Sequence, residues 1–183
     1  MSNTLSQWQT EHVNFAKLLD LLDAQLDLFH QGETPHYELM LDIMFYMTHY
    51  PDVVHHPKEE LAFARIRERD GGAGQLLDTL DRQHVELHRL GQALVTSLSD
   101  IVNGSIASRA SIETAARNYV ATFRNHMQLE DTELLALVRR HLTDKDWSAI
   151  NTKIRHIEDP LFGRNPERRY AVIEEHLERQ APA

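Results

Sequence analysis

The stretch from Leu77 to Ile101 constrains this chain more than any other. Leu77, Leu80, His84, Leu87, Gly91, Leu94, Leu98 and Ile101 recur at alternating spacings of three and four residues without a break. That is the seam of a helix packed lengthwise against other helices. One seam position is an imidazole, which burial of apolar surface does not explain.

The same period runs through most of the chain. Leu5, Trp8, His12, Phe15, Leu19, Leu22, Leu26 and Phe29 form a first stripe, which Gly32 ends. Pro35 is placed to open a second helix, continued by Leu39, Met40, Ile43, Met44 and Met47. Pro51 and Pro57 predict a kink or break between Tyr50 and Pro57, with the helix resuming to Arg69. The run from Asp70 to Gly74 reads as a loop, and Asn103-Gly104-Ser105 ends the third helix. A fourth helix is predicted from about Ser111 to Leu142, with Ile112, Tyr119, Phe123, His126, Glu130, Leu134 and Leu137 inward.

Beyond Leu142 the pattern changes. Thr143 and Asp146 have the spacing of a capping box, opening a short helix to about His156. Asp159 to Gly163 is a loop, and Asn165-Pro166 reads as the start of a last helix ending near Arg179. No strand-like alternation of useful length occurs. The expected architecture is all-α: an antiparallel up-down four-helix bundle over residues 1–142, with a short helical extension over 143–183 packed on it.

Composition enters through the polar residues in these seams. The chain of 183 residues has 12 histidines and no cysteine, so any metal it holds must use imidazole and carboxylate ligands. A net charge of −9 argues against nucleic acid or an anionic membrane as partner. No run approaches the ~18 apolar residues of a membrane span, and the N-terminus lacks the basic and apolar regions of a secretory signal. A cytoplasmic protein is the expectation.

Residues four apart on a helix lie one turn along on nearly the same face. Three such pairs occur: His55 with Glu59, His84 with His88, and His126 with Glu130. With His12 they put a potential ligand on every predicted bundle helix. One inward histidine is usually a hydrogen-bonded core residue. Four elements converging at one level need a cation to compensate their buried polarity. His30, His36, His141, His156 and His176 fall near helix ends or in the tail and read as solvated, while His49 and His56 stay undecided. Glu68, Arg69, Asp70, Glu174 and Glu175 read as solvated faces. Other metal motifs fail on spacing. Glu86 stands two residues from His84 and points away, so no zincin helix forms, and Glu33 to His36, the one Glu-x-x-His, lies in a turn.

These residues resemble the hemerythrin-like (HHE cation-binding) family over roughly residues 5–142. The likeness rests on His12, on His55-His56-Pro57-Lys58-Glu59-Glu60, on His84-x-x-x-His88, and on His126-Met127-Gln128-Leu129-Glu130-Asp131. Trp147 and the 159–163 segment look like the extension of bacterial single-domain members. The resemblance implies a four-helix bundle holding a non-haem di-iron centre, with His12, His55, His84, His88 and His126 as terminal ligands and Glu59 and Glu130 as bridges. Because Pro57 interrupts its turn, His56 with Glu60 is an alternative register, and Asp131 is an alternative to Glu130.

Two octahedral irons with these ligands and an oxo or hydroxo bridge would have one open position, suited to O2, NO or peroxide. Manganese or zinc would also accept such ligands. The functions implied are binding or sensing of a small ligand, or alternatively an enzyme of oxidative or nitrosative stress defence, or iron handling. The absence of a cysteine-containing domain disfavours the family's iron–sulfur repair type.

Overall fold

The structure is a computed structural model that describes residues 3–154 and 157–180. It is all-helical: α1 (Asn3–His30), α2 (Tyr37–Met47), α3 (His56–Arg69), α4 (Gly74–Val102), α5 (Arg109–Leu129), α6 (Leu135–His141), α7 (Asp144–Lys153) and α8 (Ala171–Gln180). Four long stretches dominate, because α2 runs into α3, and α5 into α6, through π-helical turns at Pro51–His55 and Glu130–Leu134. α1 packs on α2 and α5, and α4 packs on the same two helices, closing a ring. Among the described residues no helix is long and apolar enough to cross a membrane.

Both π-turns lie where the stripes of polar and apolar residues had to be rephased. A π-turn holds one residue more than an α-turn, so everything beyond it is shifted by one position on the inward face. In the fourth stretch the expected inward Leu137 is only half-buried, whereas Leu135 and Val138 are buried. In the second, the break expected between Tyr50 and Pro57 is such a turn. It is closed by His56 N–H donating to the Pro51 carbonyl, and it leaves the consecutive residues His55 and His56 both buried.

The core divides into two apolar clusters. One gathers Phe15, Leu22, Met40, Met44, Leu94, Tyr119 and Phe123 with their neighbours. The other gathers Leu5, Trp8, Phe63, Leu77, Leu80, Leu134 and Trp147. Along each of the four stretches, the polar seam residues lie between members of the two clusters. His12 follows Trp8 and precedes Phe15; Glu59 precedes Phe63; His84 follows Leu80 and precedes Leu87; Glu130 follows Phe123 and precedes Leu134. A layer of buried ionisable groups therefore separates two hydrophobic blocks.

Residues beyond the fourth stretch depart from expectation in detail. The capping box is present, with Asp146 N–H bonded to the Thr143 hydroxyl and Thr143 N–H to the Asp146 carboxylate. The helix it opens ends at Lys153 rather than near His156, and residues 155–156 lie outside the described set. The last helix begins at Ala171 after a 3-10 turn, not at Asn165-Pro166. Glu167 N–H donates to the Pro160 carbonyl at 2.8 Å, which holds this segment as a closed loop and delays the helix. α7 packs on α3, and α8 packs on α1 and α2. Arg69, expected on a solvated face, is exposed and forms a bidentate pair with Asp146 at 2.7 and 2.8 Å.

Candidate metal centre

Two groups of buried side chains meet in the layer between the apolar blocks. His56, Glu59, His84 and His126 form one; His12, His55, Glu59 and Glu130 form the other. In each, the donor atoms all lie within 4.8 Å of one another. Glu59 belongs to both. Its Oε1 lies 2.7 Å from His55 Nε2 and its Oε2 lies 3.2 Å from His84 Nε2. Glu130 spans the groups in the same way, with Oε2 3.2 Å from His12 Nε2 and Oε1 3.6 Å from His126 Nε2. Both carboxylates are wholly inaccessible to solvent.

The imidazoles are held from behind. His55 Nδ1 lies 2.7 Å from Glu11 Oε2, and His12 Nδ1 lies 2.9 Å from Asp131 Oδ1. His126 Nδ1 lies 3.1 Å from Gln83 Oε1, and His56 Nδ1 lies 3.2 Å from Asp52 Oδ1. For His84 the nearest acceptor is Glu60 Oε1, at 3.6 Å. Acceptors behind Nδ1 keep the proton there and turn the Nε2 lone pair inward, the arrangement that orients histidine ligands. The Trp8 indole nitrogen lies 3.1 Å from His12 Nε2.

The inward atoms lack ordinary satisfaction. His56 Nε2, His84 Nε2, His126 Nε2 and all four carboxylate oxygens of Glu59 and Glu130 are buried without a hydrogen bond of acceptable geometry. Native interiors rarely leave such groups unpaired. A set of convergent, unpaired imidazole nitrogens and carboxylate oxygens is what an intermediate-to-hard cation satisfies.

The electrostatics carry the same signature. Burial opposes charge on His55, yet the facing Glu59 and Glu11 outweigh it and lift the imidazole to about 10. Burial likewise lowers His12 and His84, but Asp131 and Glu130 raise the first, and Glu59 and Glu60 the second, each to about 9. Burial and the charge of Glu59 push Glu130 upward. His126 and His56 are driven down, by burial first and then against the charge of the neighbouring imidazoles. Positive charge is demanded at the centre, and protons meet the demand unevenly.

Of the seven residues singled out from sequence, the structure brings together His12, His55, Glu59, His84, His126 and Glu130. It does not bring His88 to either group. His88 is 61% exposed, and its Nδ1 lies 2.7 Å from Asp52. The inward stripe of α4 steps three residues from His84 to Leu87, which leaves His88 on the outer edge. His56 takes a place in the cluster instead, on the strength of the π-turn. Glu60 and Asp131, the alternatives one residue along, are 58% and 47% exposed. Asp131 is the acceptor behind His12, whereas Glu60 makes no hydrogen bond to His84.

Glu11 was not anticipated. It is buried beside His12, and its Oε1 accepts from Tyr50 Oη and from Gln7 Nε2. Its signal was present in the i,i+4 pair of Gln7 with Glu11. Among the histidines read as solvated, His30 and His36 are exposed and His176 is half-buried. His141 is mostly buried, with Nε2 3.2 Å from Asp70. His49 is exposed and stacks on Phe45.

A helical protein with a buried layer of histidines bridged by two carboxylates is a metal-binding protein of the helical-bundle class. The chain matches the family model described as the Hemerythrin HHE cation binding domain over residues 3–138, and it belongs to that family. No curated protein and no solved structure matches the chain.

Proposed function

We propose that this protein is a non-haem di-iron protein that reversibly binds or senses a diatomic ligand, O2 or NO. The observation that carries the reading is the spanning geometry of Glu59 and Glu130, each of which offers one oxygen to either group of histidines. Two ions would be held by His12, His55, His56, His84 and His126 as terminal ligands, with Glu59 and Glu130 shared. His56 thus fills the place first expected of His88, and the count of five imidazoles and two carboxylates is kept. When bound, iron supplies the redox change and the open coordination position that a diatomic ligand needs.

The chain's own residues do the rest. Glu11, Asp52, Asp131 and Gln83 orient the imidazoles and hold their outer protons. Phe15, Phe63, Phe123, Leu80 and Leu134, all essentially inaccessible, exclude water and so favour small neutral ligands. In this reading the four long stretches form an antiparallel up-down bundle. Support comes from the order of the apolar blocks, which α1 and α4 traverse in one direction and the second and fourth stretches in the other. The described residues after Leu142 cap the bundle through α7 and α8, and the protein works in the cytoplasm.

The test is metal analysis of the purified protein, followed by visible spectroscopy of the anaerobically reduced form on admission of air. Two irons per chain and an oxygenated spectrum that reverses under argon are expected. Tightly held zinc that does not exchange for iron overturns the proposal. Irreversible oxidation or turnover of added peroxide replaces binding with a stress-defence enzyme.

A further inference from the structure

Two of the depressions that touch the buried layer differ in their charged groups. One is an open groove between α1 and α5 of about 700 Å³, lined by His12, Met127, Asp131, Arg124 and Arg139 among others. The other is a cleft of about 260 Å³ between the start of α3 and α4, lined by Asp52, His56, Glu60, His84, Val85 and His88. The groove carries two guanidinium groups. The cleft carries two carboxylates and three imidazoles and no Lys or Arg.

We propose that the cleft is the route by which a divalent cation is loaded into the centre, with His88, Asp52 and Glu60 as a transient coordination site at its mouth. The inference rests on the metal-binding reading above. His88 Nδ1 and Asp52 Oδ2 lie 2.7 Å apart at the surface, and the other oxygen of Asp52 lies 3.2 Å from His56 Nδ1. Asp52 therefore touches the surface imidazole and a buried one at once. Further along the same stretch as Asp52, Glu60 Oε1 lies 3.6 Å from His84 Nδ1, which is buried and has no hydrogen bond. The cleft thus presents donors of one chemistry, imidazole and carboxylate, continuously from His88 to the buried ligands. Carboxylates at the mouth of a cleft concentrate a cation there and raise its rate of arrival. The arginines of the groove disfavour that passage for a cation.

The experiment follows cobalt(II) uptake by metal-free full-length protein, using visible absorbance at limiting cation. His88→Ala and Glu60→Gln are each expected to slow uptake by about tenfold. The final stoichiometry and the spectrum of the loaded protein should match those of the parent chain. Raised ionic strength should slow the parent more than Glu60→Gln, which has lost one of the two carboxylates. Uptake at the parental rate in both variants overturns the proposal. So does loss of a cobalt equivalent with a changed spectrum in His88→Ala, which would make His88 a resident ligand. If the parent chain itself takes up no cobalt or iron, the metal-binding reading fails, an outcome distinct from the other two.

Discussion

Glu59 stands between His55 and His84, with one carboxylate oxygen 2.7 Å from the first imidazole and the other 3.2 Å from the second. The three residues come from two of the four long helical stretches, and the carboxylate is completely buried. Burying a carboxylate among apolar neighbours is costly unless something positive shares the site. Glu59 is held ionised, well below the usual carboxylate range. Burial opposes this, but the charges of the facing His55 and His84 outweigh it.

Glu59→Gln tests the shared carboxylate. The amide keeps the shape but removes the charge that two cations would share. Metal content should fall by at least one equivalent, read by elemental analysis. In metal-free protein at pH 7 the variant should also unfold at a lower temperature than the parent, because the raised imidazoles of His55 and His84 lose the carboxylate that faces them. Unchanged metal content would remove Glu59 from the ligand set.

Glu11→Gln tests the support behind His55. The carboxylate sits 2.7 Å from His55 Nδ1 and also accepts from Tyr50. Loss of such an outer partner lowers metal affinity by about 10- to 100-fold. Competition with a chelator should show that drop with stoichiometry unchanged at saturating metal.

Metal uptake should release protons at pH 7. His12, His55 and His84 are raised to between about 9 and about 10, and a cation must displace those protons. The stabilising share of these raised histidines in metal-free protein is fully present below about pH 6.5 and fades as pH climbs through their folded values. Metal affinity has the opposite slope. Melting temperatures from pH 6 to 10 should therefore fall for metal-free protein while the gain on adding metal grows. Calorimetry in buffers of different ionisation enthalpy counts the released protons.

Asp146 gives the acid limb. Its bidentate hydrogen bonds from Arg69, reinforced by Thr143, hold the carboxyl well below the usual range. A depressed carboxylate contributes stability above its unfolded value near 4, and loses it as pH falls through the folded value. Asp146→Asn should be less stable than the parent at pH 7, and the gap should close below about pH 4 in thermal melts.

Gly91 is a packing position, not a hinge. A Cβ built there meets Thr48 Cγ2 at 2.5 Å and Tyr119 Cε2 at 3.2 Å. Gly91→Ala should cost about 1–3 kcal/mol by overpacking. Adding Thr48→Ser removes the offending methyl while keeping the hydroxyl bonded to Met44 O, and should recover most of the loss in denaturant titrations.

The spacing of apolar residues determined the helices, because a packed helix must repeat its buried face every three to four residues. The same arithmetic exposed His12, His84, His126 and Glu130 as polar residues in apolar slots, and the lack of cysteine limited what they could bind. Only the tertiary structure brought His56 into the buried layer and left His88 outside it. The extra residue of the Pro51–His55 π-turn, which the spacing does not reveal, buries His56 beside His55, while the step of the α4 stripe from His84 to Leu87 turns His88 outward. The roles of Glu11 and Gln83 were also beyond local pattern. They act on imidazoles 44 and 43 positions away in the chain, and packing alone brings them together.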